Sequence, residues 1–177
     1  NIKHRPDRIT VATEKSEYET RFLINCAGLF SDQVAELAGV ERQVRIIPFR
    51  GEYYMLKERA QYLVKNLIYP VPDPRYPFLG VHFTRTIHGE IEAGPNAVLA
   101  WAREGYKKSD VNVKEMWDYL SYGGFWRMAG KYWTIALGEY YRSFFKGAFV
   151  HALQKLVPEI TVNDVSSSPA GVRAQAL

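Results

Sequence analysis

The sequence holds a single cysteine, Cys26, among 177 residues. One cysteine excludes an internal disulfide and a cysteine-rich zinc site, and no metal site is expected. Cys26 itself reads as a small buried hydrophobe. No apolar run approaches the roughly 20 residues that span a bilayer, so no transmembrane helix is expected. The basic start, NIKHRPDR, has no apolar stretch behind it and does not read as a signal peptide. There is no G-x-G-x-x-G, P-loop, H-E-x-x-H, G-x-S-x-G or C-x-x-C, so the stand-alone catalytic signatures are absent. Charge of one sign is scarce too: 23 Lys and Arg against 19 Asp and Glu leave +4. That small excess favours anionic partners only slightly. Without an arginine-rich run, no nucleic-acid partner is expected.

What is present is ordinary globular composition, 47% hydrophobic and 24% charged, with an aromatic share of 14% that includes 12 Tyr. The length suits one domain, or one and a part. The chain starts without Met and ends in the apolar stretch GVRAQAL, so a piece of a longer protein is expected.

Residues 8–13 and 18–25 read as two strands of a hairpin across a polar turn. Cys26-Ala27-Gly28 then leads into a helix from about Ser31 to Ala38, capped by Ser31 or Asp32. A strand, a small-residue turn and a helix start can meet an anion, and equally make a plain turn. Residues 44–57 are β-rich but broken by Pro48 and Gly51. Strands are expected at 67–71, 79–86 and 90–94, with a proline-rich loop at 70–77 and a turn at His88-Gly89. Asn112 caps a helix over about 113–121. Residues 123–157 read as helical, with breaks near Gly124, Gly138 and Gly147. A loop from Val165 and a short strand at 171–177 follow. The expected fold class is α+β, with one contiguous antiparallel sheet over about 45–95 and helices packed on one face.

The candidate chemistry is a set of cations among strands. Arg50 sits beside a strand glycine. His82 and Arg85 are three apart in one strand and point to opposite faces. Arg173 lies in an otherwise apolar segment. A buried arginine needs an anion, either a structural partner such as Glu52, Glu90 or Glu92, or a carboxylate substrate held in a bidentate fork. His82 reads as a satisfied core or rim histidine, or as a base. The aromatic and basic stretch Phe125–Trp133 fits the core side of a packed helix, or a surface for a membrane or partner.

Several segments together resemble one family. Ile47-Pro48-Phe49-Arg50-Gly51-Glu52-Tyr53-Tyr54, NLIYPVPDP at 66–74, PFLGVHFT at 77–84, GPNAVL at 94–99, REGY at 103–106 and PAGVRAQA at 169–176 occur in order over almost the whole chain. They are similar to segments of L-2-hydroxyglutarate oxidases and dehydrogenases, FAD-dependent enzymes of the D-amino-acid oxidase-like group.

The resemblance implies a Rossmann-type FAD domain and a substrate domain built on an antiparallel sheet. Residues 1–40 would belong to the FAD domain, 41–165 to the substrate-binding domain, and 166–177 to a segment returning to the FAD domain. The implied activity is oxidation of L-2-hydroxyglutarate to 2-oxoglutarate, with hydride passed to the flavin. Ala27 and Gly28 match the strand end that approaches the cofactor. Arg173 matches an arginine that grips a substrate carboxylate, and Arg50, His82 and Arg85 are the further substrate-binding candidates. The family's FAD fingerprint and its flavin-proximal histidine are not in this sequence, so the chain alone is not expected to hold FAD or to turn over. No catalytic residue is assigned. The implied partners are a small dicarboxylate and the remainder of the FAD domain. The implied location is cytoplasmic or peripheral on the inner membrane, with oxygen or a membrane quinone taking the electrons. Two alternatives stand beside this: a flavoprotein oxidase of a small amino acid such as glycine or sarcosine, and a non-catalytic basic binding module.

Overall fold

The structure, a computed structural model, describes residues 1–73 and 79–177. Parts of the expected proline-rich loop and of two family-like segments, at 74–78, lie outside the described residues. Strands β1 (Ile2–His4), β2 (Ile9–Ala12) and β3 (Glu17–Thr20) form an antiparallel sheet in sequence order. The β2–β3 turn is closed by Thr13, whose Oγ1 accepts from Ser16 N at 3.0 Å. The second strand of the expected hairpin stops at Thr20, short of residue 25. Beyond it Phe22 and Ile24 lie in irregular chain, each 82% exposed. A strand needs a neighbour to take its N–H and C=O groups, and no strand among the described residues pairs with 21–27. A 3-10 turn, Gly28–Phe30, then runs into helix α1 (Ser31–Leu37).

The following strands are β4 (Ile46–Gly51), β5 (Tyr54–Leu56), β6 (His82–Arg85), β7 (Ile91–Gly94) and β8 (Val98–Leu99). Helices α2 (Val113–Leu120), α3 (Gly123–Phe144) and α4 (Lys146–Gln154) come next. Two strands, β9 (Val165–Ser167) and β10 (Gly171–Ala176), complete the order. β9 occupies part of the expected loop, and 67–71 contributes only a bridge between Ile68 and Phe83.

The mixed α+β content and antiparallel pairing agree with the sequence. The single contiguous sheet does not form. The strands divide into a sheet ordered β10-β4-β8 and a second ordered β6-β7-β5-β9. The division falls where two chain segments cross closely. A Cβ on Gly51 would meet Pro95 at 2.9 Å, and one on Gly94, at φ +138°, would meet the Glu52 carbonyl at 2.9 Å. Only residues without a Cβ permit that crossing, so the chain leaves one sheet after β4 and enters the other at β5.

Each sheet has its own core. Leu56, Phe83, Ile91, Ala93 and Val165 of the four-stranded sheet pack against Phe149, Val150 and Leu153 of α4. Ile47 of the other sheet packs against Tyr119 of α2 and Phe125 of α3, with Phe49 and Leu99 alongside. Asn112 caps α2 as expected, its side chain accepting from Lys114 N at 3.1 Å and Glu115 N at 3.2 Å. Helix α3 starts at Gly123, beside the expected break near Gly124, and runs for 22 residues straight through Gly138. A helical glycine costs only about 1 kcal/mol relative to alanine, less than the packing of Phe125 returns. The expected break near Gly147 is present, two residues earlier at Phe145, whose backbone is extended at φ −116°, ψ 103°.

Candidate functional site

The β10-β4-β8 sheet presents one face to α3. Along β4, Ile47 and Phe49 share that face because strand side chains alternate. Phe49 stands opposite Leu99 on β8 and opposite Arg173 on β10. Phe49 and Leu99 form part of the wall of a cleft of about 800 Å³, which also takes in Gly80, Val81, Trp101, Met128 and Tyr132. Arg173 therefore lies on the same side of the sheet as Phe49.

His82 lies within electrostatic reach of Arg173. Burial, and then the Arg173 cation, hold its imidazole below the usual histidine value, against a hydrogen bond to Gly80 that works the other way. The ring stacks on Tyr69 with centroids 4.2 Å apart and planes 19° from parallel. Tyr69 is in turn held by a 3.0 Å hydrogen bond to Thr84 Oγ1. His82 Nδ1 is 3.0 Å from the Gly80 carbonyl. A carbonyl only accepts, so Nδ1 carries the proton and Nε2 keeps its lone pair in the neutral ring.

The other two candidate cations are engaged elsewhere. Arg50, 4% exposed, points to the opposite side of β4 from Phe49. Its Nη2 lies 3.2 Å from Glu52 Oε1 and its Nη1 donates to the Lys107 carbonyl at 3.3 Å. Glu52 is further held by Ser143 Oγ at 2.9 Å and Asn96 Nδ2 at 2.9 Å. Arg85 donates to the carbonyls of Gly89, at 3.2 Å, and Val64, at 3.4 Å, tying the β6–β7 turn to the chain before it. Of the four sequence candidates, Arg173 and His82 lie within electrostatic reach of each other, while Arg50 is paired with Glu52 and Arg85 with backbone carbonyls.

The Ala27-Gly28 turn adjoins the same sheet. Asn25 shapes it, with Oδ1 accepting from Ala27 N at 3.1 Å and Nδ2 donating to the Ser31 carbonyl at 2.8 Å. Gly28 adopts φ +53° and has open space where a Cβ would stand, so a flat ligand can approach this backbone closely. The 3-10 turn that it opens touches both β4 and β10. Cys26 is exposed, not the buried hydrophobe expected. The turn around it faces outward, which removes the burial that the composition suggested.

A cluster that the sequence did not announce lies behind this turn. Asp32, read as a helix cap, is instead 6% exposed, and no side chain caps α1. Its carboxylate receives Arg103 in a fork, Nη1 to Oδ1 at 2.7 Å and Nη2 to Oδ2 at 2.8 Å. Ile46 N adds a bond at 3.1 Å, and Arg42 bonds both Asp32 and Asp118. Burial alone would raise the Asp32 pKa. The Arg103, Ile46 and Arg42 hydrogen bonds outweigh it and hold the carboxyl at about 2. The one sequence signal was Arg103 in the REGY segment, which carried no partner with it. Among the described residues no group of three or more His, Cys, Asp or Glu is placed to hold a metal ion.

Residues 1–176 match the DAO family, described as FAD dependent oxidoreductase. The chain belongs to this family. Its relatives include the L-2-hydroxyglutarate dehydrogenase of Indibacter alkaliphilus, 58% identical over 167 residues, covering 94% of this chain and 42% of that protein. The mitochondrial L-2-hydroxyglutarate dehydrogenase of Caenorhabditis elegans is 48% identical over 172 residues, 97% of this chain and 40% of that one. The human mitochondrial enzyme of the same name is 48% identical over 165 residues, 93% and 36%. The chain thus spans roughly two-fifths of the length of these relatives. For a family member, the residues present suit one edge of a flavin site. The backbone at Gly28 is open and adjoins β10, while a glycine-rich pyrophosphate loop is not among this chain's motifs.

Proposed function

We propose that this chain is the substrate-binding part, with one edge of the cofactor domain, of an FAD-dependent dehydrogenase that oxidises L-2-hydroxyglutarate to 2-oxoglutarate. The observation that carries the reading is the placement of Arg173 and His82. Arg173 shares the Phe49 side of a sheet whose β4 and β10 also touch the Gly28 turn, and His82, on β6, lies within its electrostatic reach. The names of the relatives supply the substrate. In the same reading residues 1–40 and 166–177 belong to a Rossmann-type FAD domain, and 41–165 to the substrate domain.

Ala27 and Gly28 would lie against the cofactor. When bound, FAD supplies the capacity to accept the two electrons of the substrate C2–H bond. The chain's own residues do the rest. Arg173 takes a substrate carboxylate in a two-pronged grip. His82, neutral and donating through Nδ1 to Gly80, offers Nε2 to the C2 hydroxyl and receives its proton as the carbonyl forms. Tyr69, stacked on the ring, fixes the direction of that lone pair. Phe49 and Leu99 exclude water from the apolar side of the cleft.

Peripheral contact with the inner membrane belongs to the same proposal. Helix α3 exposes Trp126, Trp133, Tyr141 and Phe144 by 59–68%. Their spacing puts them on one helical face, with Arg127 toward its edge, as in interfacial helices. No helix among the described residues is long and apolar enough to cross a membrane.

The test is anaerobic flavin reduction in the full-length protein, followed by its visible absorbance. L-2-hydroxyglutarate should bleach the flavin and yield 2-oxoglutarate, while D-2-hydroxyglutarate, glycine and sarcosine leave it yellow. Faster bleaching by glycine or sarcosine would make this an amino-acid oxidase instead.

A further inference from the structure

We infer that Arg103 is a positioning residue that fixes the Gly28–Phe30 turn against the substrate-binding sheet, and thereby sets where the flavin lies relative to Arg173. The inference rests on the functional reading above.

The geometry is that of a clasp. The Arg103 side chain is 3% exposed. Its Nη1 donates to the Leu29 carbonyl, in the middle of the turn, and to Asp32 Oδ1 at 2.7 Å. Its Nη2 donates to Asp32 Oδ2 at 2.8 Å and Asp118 Oδ2 at 3.2 Å. The guanidinium carbon lies 5.8 Å from the centroid of the Phe30 ring, which closes the same turn. Arg103 is itself anchored, its backbone N donating to Glu115 Oε2 at 2.7 Å. One side chain thus joins the turn, the start of α1 and helix α2. The turn rests on β4 and β10, and β10 carries Arg173.

Two features separate this role from general structural support. First, Asp32 keeps other partners without Arg103, because Arg42 and Ile46 N also bond it. The buried carboxylate is therefore not orphaned when Arg103 is replaced. Second, the Arg103 guanidinium reaches the Leu29 carbonyl and Asp32 at the same time. Lysine at this position can satisfy Asp32 as a point charge, but it lacks the planar fork that reaches two carboxylate oxygens and a carbonyl together. Arg103→Lys therefore releases the turn while Asp32 stays paired.

The experiment uses the full-length protein, with Arg103→Lys compared against Asp118→Asn. The second variant weakens the same charge network and leaves the Leu29 bond in place. For Arg103→Lys we expect a melting temperature close to wild type and KM for L-2-hydroxyglutarate within about twofold. In the same variant we expect kcat to fall on the order of 10-fold or more, the scale of a small misplacement of reacting groups. Its FAD dissociation constant should rise and its flavin circular dichroism band should change. Asp118→Asn should lower the melting temperature and leave the flavin dissociation constant and dichroism at wild-type values.

Two results would overturn the inference. One is unchanged flavin binding and dichroism in Arg103→Lys. The other is a parallel loss of melting temperature and flavin affinity in both variants, which would make Arg103 a stabilising residue only. If wild-type protein binds FAD but is not reduced by L-2-hydroxyglutarate, the substrate reading fails, while the flavin measurements still decide the role of Arg103.

Discussion

Arg173 and Phe49 stand directly opposite each other across β10 and β4, so an arginine shares a side of the sheet with Phe49, part of an apolar cleft wall. That juxtaposition suits a ligand with a carboxylate at one end and a carbon chain beyond it. In Arg173→Lys the charge stays but the two-pronged grip does not. In the full-length enzyme kcat/KM for L-2-hydroxyglutarate should fall by about 10²-fold, equivalent to about 2.7 kcal/mol of transition-state stabilisation. Flavin content should stay near wild type. Loss of flavin, with normal kcat/KM in the molecules that keep it, would make Arg173 structural.

The electrostatic link between Arg173 and His82 is open to direct measurement. The cation disfavours the imidazolium and helps to hold the His82 pKa down. Arg173→Gln removes that charge and leaves burial in place. The His82 pKa, followed by NMR titration of the ring, should therefore move upward, toward the ordinary histidine value. An unmoved titration would mean that the two side chains do not share a site.

Asp32 makes stability depend on pH in a defined direction. Its folded pKa of about 2 lies below the ordinary 3.8. A depressed carboxyl stabilises the fold above its unfolded pKa, and the contribution is lost as pH falls through the folded value. The window is therefore about pH 4 down to 2, and the amount about 2 kcal/mol. Asp32→Ala should lower the unfolding free energy near neutrality by about 3 kcal/mol, since the 3% exposed Arg103 side chain loses its two-pronged carboxylate and keeps Asp118 as its remaining anion. Urea unfolding of both proteins across that window should show their difference shrinking toward low pH. A constant difference would assign the stabilisation to packing.

The 177-residue chain expressed by itself should not retain FAD. Gly28 offers one open backbone edge, and no glycine-rich pyrophosphate loop accompanies it. The purified chain should be colourless, and stoichiometric flavin absorbance would contradict this.

Local chemistry was legible in the sequence wherever the cause was local. Asn112 announced the start of α2, and the Arg50-Gly51 pair marked a strand with an unusual neighbour. Arg173 stood out as a charge in an apolar run. The family-like segments pointed to the substrate class, which no single residue could. What escaped was set by partners distant in sequence. Asp32 reads as a cap because nothing nearby shows that Arg103 will arrive from 71 residues away. The division into two sheets depends on register and on a backbone crossing at Gly51 and Gly94, neither of which periodicity reports. For Arg50 the sequence offered both a substrate carboxylate and a structural partner such as Glu52, and the structure shows the pairing with Glu52, a carboxylate that Ser143 and Asn96 also hold.

The pairing of β10 with β4 also orders the steps by which this protein takes shape. β5, β6 and β7 lie close together in sequence and can find one another early, whereas β4 must wait for a strand made more than half the chain later. Closing so long a loop carries an entropic cost that local hairpins avoid, and pairings distant in sequence form slowly. On the ribosome, β4 would emerge with one edge uncovered and stay so until the segment bearing Arg173 has been synthesised. The strand that carries Arg173 is thus also the one that seals that edge, so a nascent chain stalled before residue 171 would present an open template for aggregation.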